Sequence, residues 1–241
     1  MEVTRSNAVR LVRFLVELFF RRVEVSGVEN VPPKGGGILI AWHPNGLVDP
    51  ALMISTFPRR VVFGARHGLF SWPIIGRLMR ALGTVPIYRA SDLKDADDET
   101  RRNANRQSLD ALAQAICNGR FAALFPEGVS HDQPFLQDLK TGAARLYYRA
   151  RQLCAEQDVP PVIIPVGLHY DDKTAFRSVA LVEFHPPLKV PHELLAPIDE
   201  EDDEALRAQS SELTRVIEPV LQEVTHATES WELNRLMNRV R

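Results

Sequence analysis

Cysteine is scarce in this chain: Cys117 and Cys154 are the only two among 241 residues. They cannot build a disulfide framework, and they form no Cys-x-x-Cys pair of the kind that holds zinc. Long apolar runs are missing as well. The most apolar stretch near the start, residues 8–23, is interrupted by Arg10, Arg13, Glu17, Arg21 and Arg22, and its longest unbroken apolar run is three residues. A membrane span needs roughly 20 mostly apolar residues, and a secretory leader needs an unbroken apolar centre. The segment fits neither, so a cytosolic chain is expected, in keeping with the few cysteines. Gly35-Gly-Gly37 is not followed by the Gly-Lys-Ser/Thr of a phosphate loop and reads as easy entry into a strand. Histidine pairs one helical turn apart are absent too. His67, His131, His169, His185, His192 and His226 are therefore read as satisfied or exposed side chains, and no metal is expected.

Net charge is also small, −2, which at first excludes a basic nucleic-acid binder. The total conceals an uneven distribution. Residues 1–90 hold twelve Lys/Arg against five Asp/Glu, and residues 91–241 hold seventeen against twenty-six. A basic front third calls for an anionic partner.

What is present reads as an α/β protein. Arg10, Arg13, Glu17 and Arg21 recur at helical spacing and form one polar stripe, with a wide apolar arc of Val, Leu and Phe around it. That amphipathic helix either packs into its own domain or lies in a membrane surface with its arginines near lipid phosphates. From residue 35 onward, short apolar blocks at 37–41, 61–65, 85–87, 121–125, 162–168 and 180–184, the first two β-branched, alternate with helical patterns near 50–56, 72–82, 103–118 and 141–155. The alternation predicts a single α/β domain with a central mixed, largely buried sheet flanked by helices. No linker or repeat divides it. The expected organisation is a helix over 1–23, the main domain over 24–198, and an acidic helical extension over 199–241. The acids at 199–204 read as a solvated helix start.

Two segments could carry chemistry. Ala41-Trp-His-Pro-Asn-Gly-Leu-Val-Asp-Pro50 sets His43 just past a strand and Asp49 before a helix, where α/β folds build sites. A carboxylate that fixes the tautomer of a histidine is the minimal general-base unit. The alternative is a turn histidine and a helix-capping aspartate. Phe125-Pro-Glu-Gly-Val-Ser130 follows another strand, and its tight turn presents Glu127 and backbone N–H groups. Gly128-Val-Ser-His-Asp132 lacks the second glycine of a nucleophile elbow, which argues against a serine hydrolase. Gly83-Thr-Val-Pro-Ile-Tyr-Arg89 closes a short strand with an arginine suited to a phosphate or carboxylate.

In order and combination, the His…Asp block, Gly83…Arg89, Phe-Pro-Glu-Gly-x-Ser and the Val162-Ile-Ile-Pro-Val166 strand resemble the four motifs of the glycerolipid acyltransferase superfamily. The likeness covers about residues 24–190 and includes the glycerol-3-phosphate and 1-acylglycerol-3-phosphate acyltransferases. Five residues separate His43 from Asp49, one more than the family's commonest pattern, so the turn must loop out a residue. The His-Pro-Asn opening is similar to a fungal-type glycerol-3-phosphate/dihydroxyacetone-phosphate branch.

The resemblance implies a phospholipid-forming acyltransferase. His43 would deprotonate an acceptor hydroxyl attacking an acyl thioester, and Asp49 would orient His43. Arg89 would hold the acceptor phosphate, Glu127 and Gly128 would help position the glycerol moiety, and Lys140 is a second phosphate candidate. The donor would be acyl-CoA or acyl carrier protein, and the acceptor glycerol phosphate or a lysophospholipid. No metal or prosthetic group is implied, and no nucleic acid. The helix would then sit on an anionic membrane surface at the cytoplasmic face, with Arg59, Arg60, Arg66, Arg77 and Arg80 also meeting lipid or phosphate. An acyl-thioester hydrolase and a non-catalytic lipid-binding module are the competing readings.

Overall fold

A computed structural model describes residues 6–88, 98–197, 202–226, 228 and 231–232. Helix α1 (Asn7–Phe19) starts at Ser6, whose side chain accepts the Val9 N–H. Strand β1 (Arg22–Ser26) follows, then β2 (Gly37–Ile40), α2 (Val48–Thr56), β3 (Val61–Arg66), α3 (Pro73–Ala81) and β4 (Val85–Ile87). After these come α4 (Asp98–Cys117), β5 (Phe121–Leu124), α5 (Gly142–Leu153), β6 (Val162–Tyr170), β7 (Val179–Phe184) and α6 (Asp203–Thr225).

The seven strands form one sheet in the order β1-β7-β6-β2-β5-β3-β4. Every pairing is parallel except β6 with β7, so the sheet is mixed, as expected. Alternate residues serve opposite layers. Leu39, Ala123, Ile164 and Val166 pack toward α1 and α2, with Val12, Val16, Leu52 and Met53. Ile38, Ile40, Ala122 and Ile163 pack toward α4, α5 and α6. Covering both faces explains why the central strands are continuous apolar runs.

Three expectations change. Residues 22 and 23 belong to β1, not to the N-terminal helix. Arg-Val-Glu-Val-Ser pairs on one side only, at the sheet edge, so its short alternation was masked by the helical stripe before it. α6 is no solvated extension. Its start is, with Asp202 accepting the Ala205 N–H and Asp203 and Glu204 exposed, but Leu213, Ile217, Leu221 and Val224 are buried against the sheet and α5. Lastly, Cys117 and Cys154 are bonded to each other, fastening the end of α4 to the end of α5. Cysteine usage therefore lends no support to a reducing compartment.

α1 is divided between two surroundings. Val12 and Val16 are buried against the domain, while Leu11, Phe14, Leu15 and Leu18 stand on the opposite side, each about half exposed. Among the described residues no helix is long and apolar enough to cross a membrane.

Candidate active site

β2 lies between β5 and β6 and runs parallel to both. The carboxyl ends of three adjacent strands therefore open on one edge. His43 stands three residues beyond β2, Glu127 three beyond β5, and Tyr170 is the last residue of β6. These positions bring together side chains far apart in the chain.

His43 is fixed at its backbone and on its ring. Its N–H donates to Glu127 Oε2 at 2.9 Å, and its carbonyl accepts the His131 N–H at 3.1 Å. Its Nδ1 lies 2.8 Å from Asp49 Oδ2, and its ring stacks on Phe125 with centroids 3.9 Å apart and planes 8° from parallel. The same Asp49 oxygen accepts the Asn45 N–H at 2.8 Å, and Tyr170 donates its hydroxyl to Asp49 Oδ1. Asp49 is fully buried, whereas the His43 side chain keeps 17% of its surface. With Nδ1 donating to the carboxylate, Nε2 carries the lone pair, and among the described residues nothing bonds to it. Burial first, then the Asp49 charge, pushes the Tyr170 hydroxyl well above its ordinary range. It therefore remains a donor.

The extra residue between His43 and Asp49 is absorbed without breaking their contact. Gly46 takes a left-handed conformation, φ +41°, in open space. Leu47 is pushed outward and half exposed, and the Val48 N–H closes the turn on the Asn45 carbonyl. Asp49 then falls in the first turn of α2 with its side chain directed back to His43. The loop after β6 clamps this turn from outside. Lys173 Nζ donates to the Pro44 carbonyl at 3.0 Å, and Asn45 Nδ2 donates to the Lys173 carbonyl at 2.9 Å. Lys173 also pairs with Asp132 and lies 4.1 Å from the centre of the Trp231 ring. Its hydrogen bond and charge hold the Asp132 carboxyl below the usual carboxylate range.

The remaining candidates separate. Glu127 does not face open space. It is 1% exposed, and its Oε1 takes the Gln137 N–H at 2.8 Å and His131 Nε2 at 2.6 Å while Oε2 takes His43. It is a brace joining two loops. Gly128 turns with φ +70°, and a Cβ there would fall 3.0 Å from Lys140 Nζ, so the exposed Lys140 side chain lies across the glycine turn. Arg89 lies outside the described residues; β4, which ends at Ile87, finishes on the same edge as β2. Arg66 closes β3 at that edge too. Arg59 belongs elsewhere: it precedes β3 and donates to the carbonyls of Pro32 and Gly119, both at 2.8 Å, at the amino ends of the strands. It is committed to the scaffold, and burial lowers its guanidinium.

Tyr170, His131 and Lys173 went unremarked as site residues in the sequence. Tyr170 carries one usable signal, a polar-tipped aromatic closing an apolar strand. Which strand it would lie beside is a matter of sheet order.

A buried carboxylate bonded to a histidine at the carboxyl edge of parallel strands is an arrangement chemically capable of taking a proton from a hydroxyl or water. The chain belongs to the Acyltransferase family, whose profile matches residues 22–169. It is similar to an uncharacterized acyltransferase of Schizosaccharomyces pombe, 25% identical over 76% of this chain and 38% of the relative. It is also similar to glycerol-3-phosphate O-acyltransferase 2 of Saccharomyces cerevisiae, 24% identical over the same two shares, 76% and 38%. The chain thus spans 38% of the length of these curated relatives. Among solved structures it shares its fold with the 1-acyl-sn-glycerophosphate (LPA) acyltransferase of Thermotoga maritima, with a TM-score of 0.52, 18% identity, and coverage of 88% of this chain and 79% of that one.

Proposed function

We propose that the protein transfers a fatty acyl group from a thioester, acyl-CoA or acyl carrier protein, to a hydroxyl of glycerol 3-phosphate or 1-acylglycerol 3-phosphate. The observation that carries this is the His43–Asp49 contact of 2.8 Å with Tyr170 behind it. The names of the relatives supply the acceptor class. In the proposed reaction Nε2 of His43 takes the acceptor proton as the hydroxyl oxygen attacks the thioester carbonyl. The new C–O bond forms, the C–S bond breaks, and the proton passes to the departing sulfur. Asp49 stabilises the imidazolium formed on the way.

Lys140 and Arg89 are proposed to meet the acceptor phosphate, as cations whose hydrogen bonds to phosphate are charge-assisted. Glu127 is proposed to act through His43, because its oxygens already serve three donors. Gly128, whose N–H donates to the Phe125 carbonyl, would shape the turn beside the glycerol moiety.

Membrane attachment is proposed to be peripheral, at the cytoplasmic face, through the Leu11, Phe14, Leu15 and Leu18 stripe. One side of α1 is anchored in the core and the other is apolar and open, which suits a helix lying flat in an interface.

The test is a panel of glycerol 3-phosphate, dihydroxyacetone phosphate and lysophospholipid acceptors with both donors. His43→Ala should lower acyl transfer by about 10²- to 10⁴-fold in a protein that stays folded. Full activity in that variant would overturn the assignment. Free fatty acid released at one rate with and without acceptor would indicate hydrolysis instead. Vesicle binding without thiol release would indicate a binding module.

A further inference from the structure

Behind the sheet, on the face away from Asp49, lies a second cluster of titratable side chains. Val166, Leu168 and Tyr170 of β6 face the α1–α2 layer, so Gly167 and His169 between them face α6. Glu183 of β7 is directly opposite Gly167 in the antiparallel register. His226 caps the carboxyl end of α6 in a left-handed conformation, φ 49°. Its ring meets that of His169 edge to face, with centroids 4.8 Å apart.

We propose that His169, Glu183 and His226 form a binding site for one first-row divalent transition ion, with Zn²⁺ the best match. One ligand atom from each residue lies within 4.8 Å of the others. His169 is 6% exposed, and its Nε2 is buried with no hydrogen-bond partner among the described residues. The Glu183 carboxylate, 3.6 Å away, is beyond hydrogen-bond reach. That distance suits two ligands of one ion better: atoms bound at about 2.0–2.2 Å around a tetrahedral centre stand roughly 3.4 Å apart. A buried imidazole nitrogen aimed at a carboxylate, but too far to bond it, leaves its lone pair for an ion.

The surroundings agree. A Cβ at residue 167 would fall 2.6 Å from His169 Nε2, so glycine is what keeps that space open. The carboxyl end of a helix favours positive charge, and α6 ends at the cluster. His185 stands at the rim, its Nε2 3.9 Å from the Glu183 carboxylate, and could supply a fourth ligand. Two imidazoles and one carboxylate select zinc-like ions over calcium or magnesium, which prefer oxygen sets. Such an ion would tie β6, β7 and the end of α6 together. The next residue of β6 after His169 is Tyr170, so the ion would also pin the strand that carries the donor to Asp49.

The experiment uses the full chain without a histidine tag, stripped with chelator and titrated with ZnCl2 by calorimetry. One equivalent should bind, and bound Zn²⁺ should raise the thermal midpoint. His226→Gln and Glu183→Gln should each weaken binding at least about tenfold, while His43→Ala should leave it unchanged. X-ray absorption on the zinc-loaded unsubstituted protein gives a reading independent of the variants' folding. Two imidazole nitrogens in the zinc shell are expected. Failure to bind at micromolar zinc, full binding in both glutamine variants, loss of binding in His43→Ala, or a shell without imidazole would each overturn the proposal.

Discussion

Tyr170 donates its hydroxyl to the Asp49 carboxylate that holds His43, across 121 residues of sequence. Asp49 is thereby bonded on both oxygens, to a strand end on one side and to its own turn on the other. A carboxylate held at two points fixes an imidazole more firmly than one held at a single point.

Tyr170→Phe removes only the hydroxyl and leaves the ring in the core. The expected result is a drop in kcat of about tenfold with KM for both substrates little changed, since the residue acts through Asp49 and His43. Steady-state kinetics on the folded variant read this split. An unchanged kcat would show that Asp49 needs no second anchor.

Glu127 and Lys140 should behave differently although the family resemblance implied that both hold the acceptor. Glu127→Ala leaves the His43 and Gln137 N–H groups without their acceptor, which costs about 1–3 kcal/mol for each buried donor. It should lower both kcat and the urea midpoint. Lys140→Ala should raise KM for the phosphorylated acceptor and leave the midpoint nearly unchanged. A raised acceptor KM alone in Glu127→Ala would restore a direct contact with glycerol.

Removing α1 altogether would strip Val12 and Val16 from the core, so its outer stripe must be tested in place. Phe14→Ser with Leu18→Ser should weaken flotation with anionic vesicles while far-UV circular dichroism and thermal midpoint hold. Unchanged flotation would assign the stripe to some other contact.

The Cys117–Cys154 bond closes a sequence separation of 37 residues. Chain-entropy arguments give such a loop roughly 3–4 kcal/mol of stabilisation. Cys154→Ser should lower the urea midpoint correspondingly, and reductant should do the same to the unsubstituted protein only. Equal midpoints with and without reductant would show that the bridge contributes little.

Much of this was legible in the sequence because it is local. Six of the seven strands follow from compact apolar blocks, and the two-faced burial of β2, β5 and β6 follows from their lack of polar alternation. His43 and Asp49 are six positions apart, close enough for one turn to join them, even with the bulge at Gly46 and Leu47. Edge strand β1 carried too few residues to outweigh the helical stripe before it. The packing of α6 was hidden by the acids at its start, although Leu213, Ile217, Leu221 and Val224 do recur on one face.

By itself the sequence determined the α/β class, the His…Asp and Phe-Pro-Glu-Gly blocks, and the net positive charge of the front third, where acids are scarce. These depend on residue type and short spacing. Tertiary structure alone decided that Tyr170 reaches Asp49, that Glu127 turns inward to His43, that Arg59 sits at the far edge of the sheet, and that His169, Glu183 and His226 converge. Each of these follows from strand order and direction. The mixed sheet sets β6 beside β2, reverses β7, and brings the end of α6 over both, and no local pattern encodes that order.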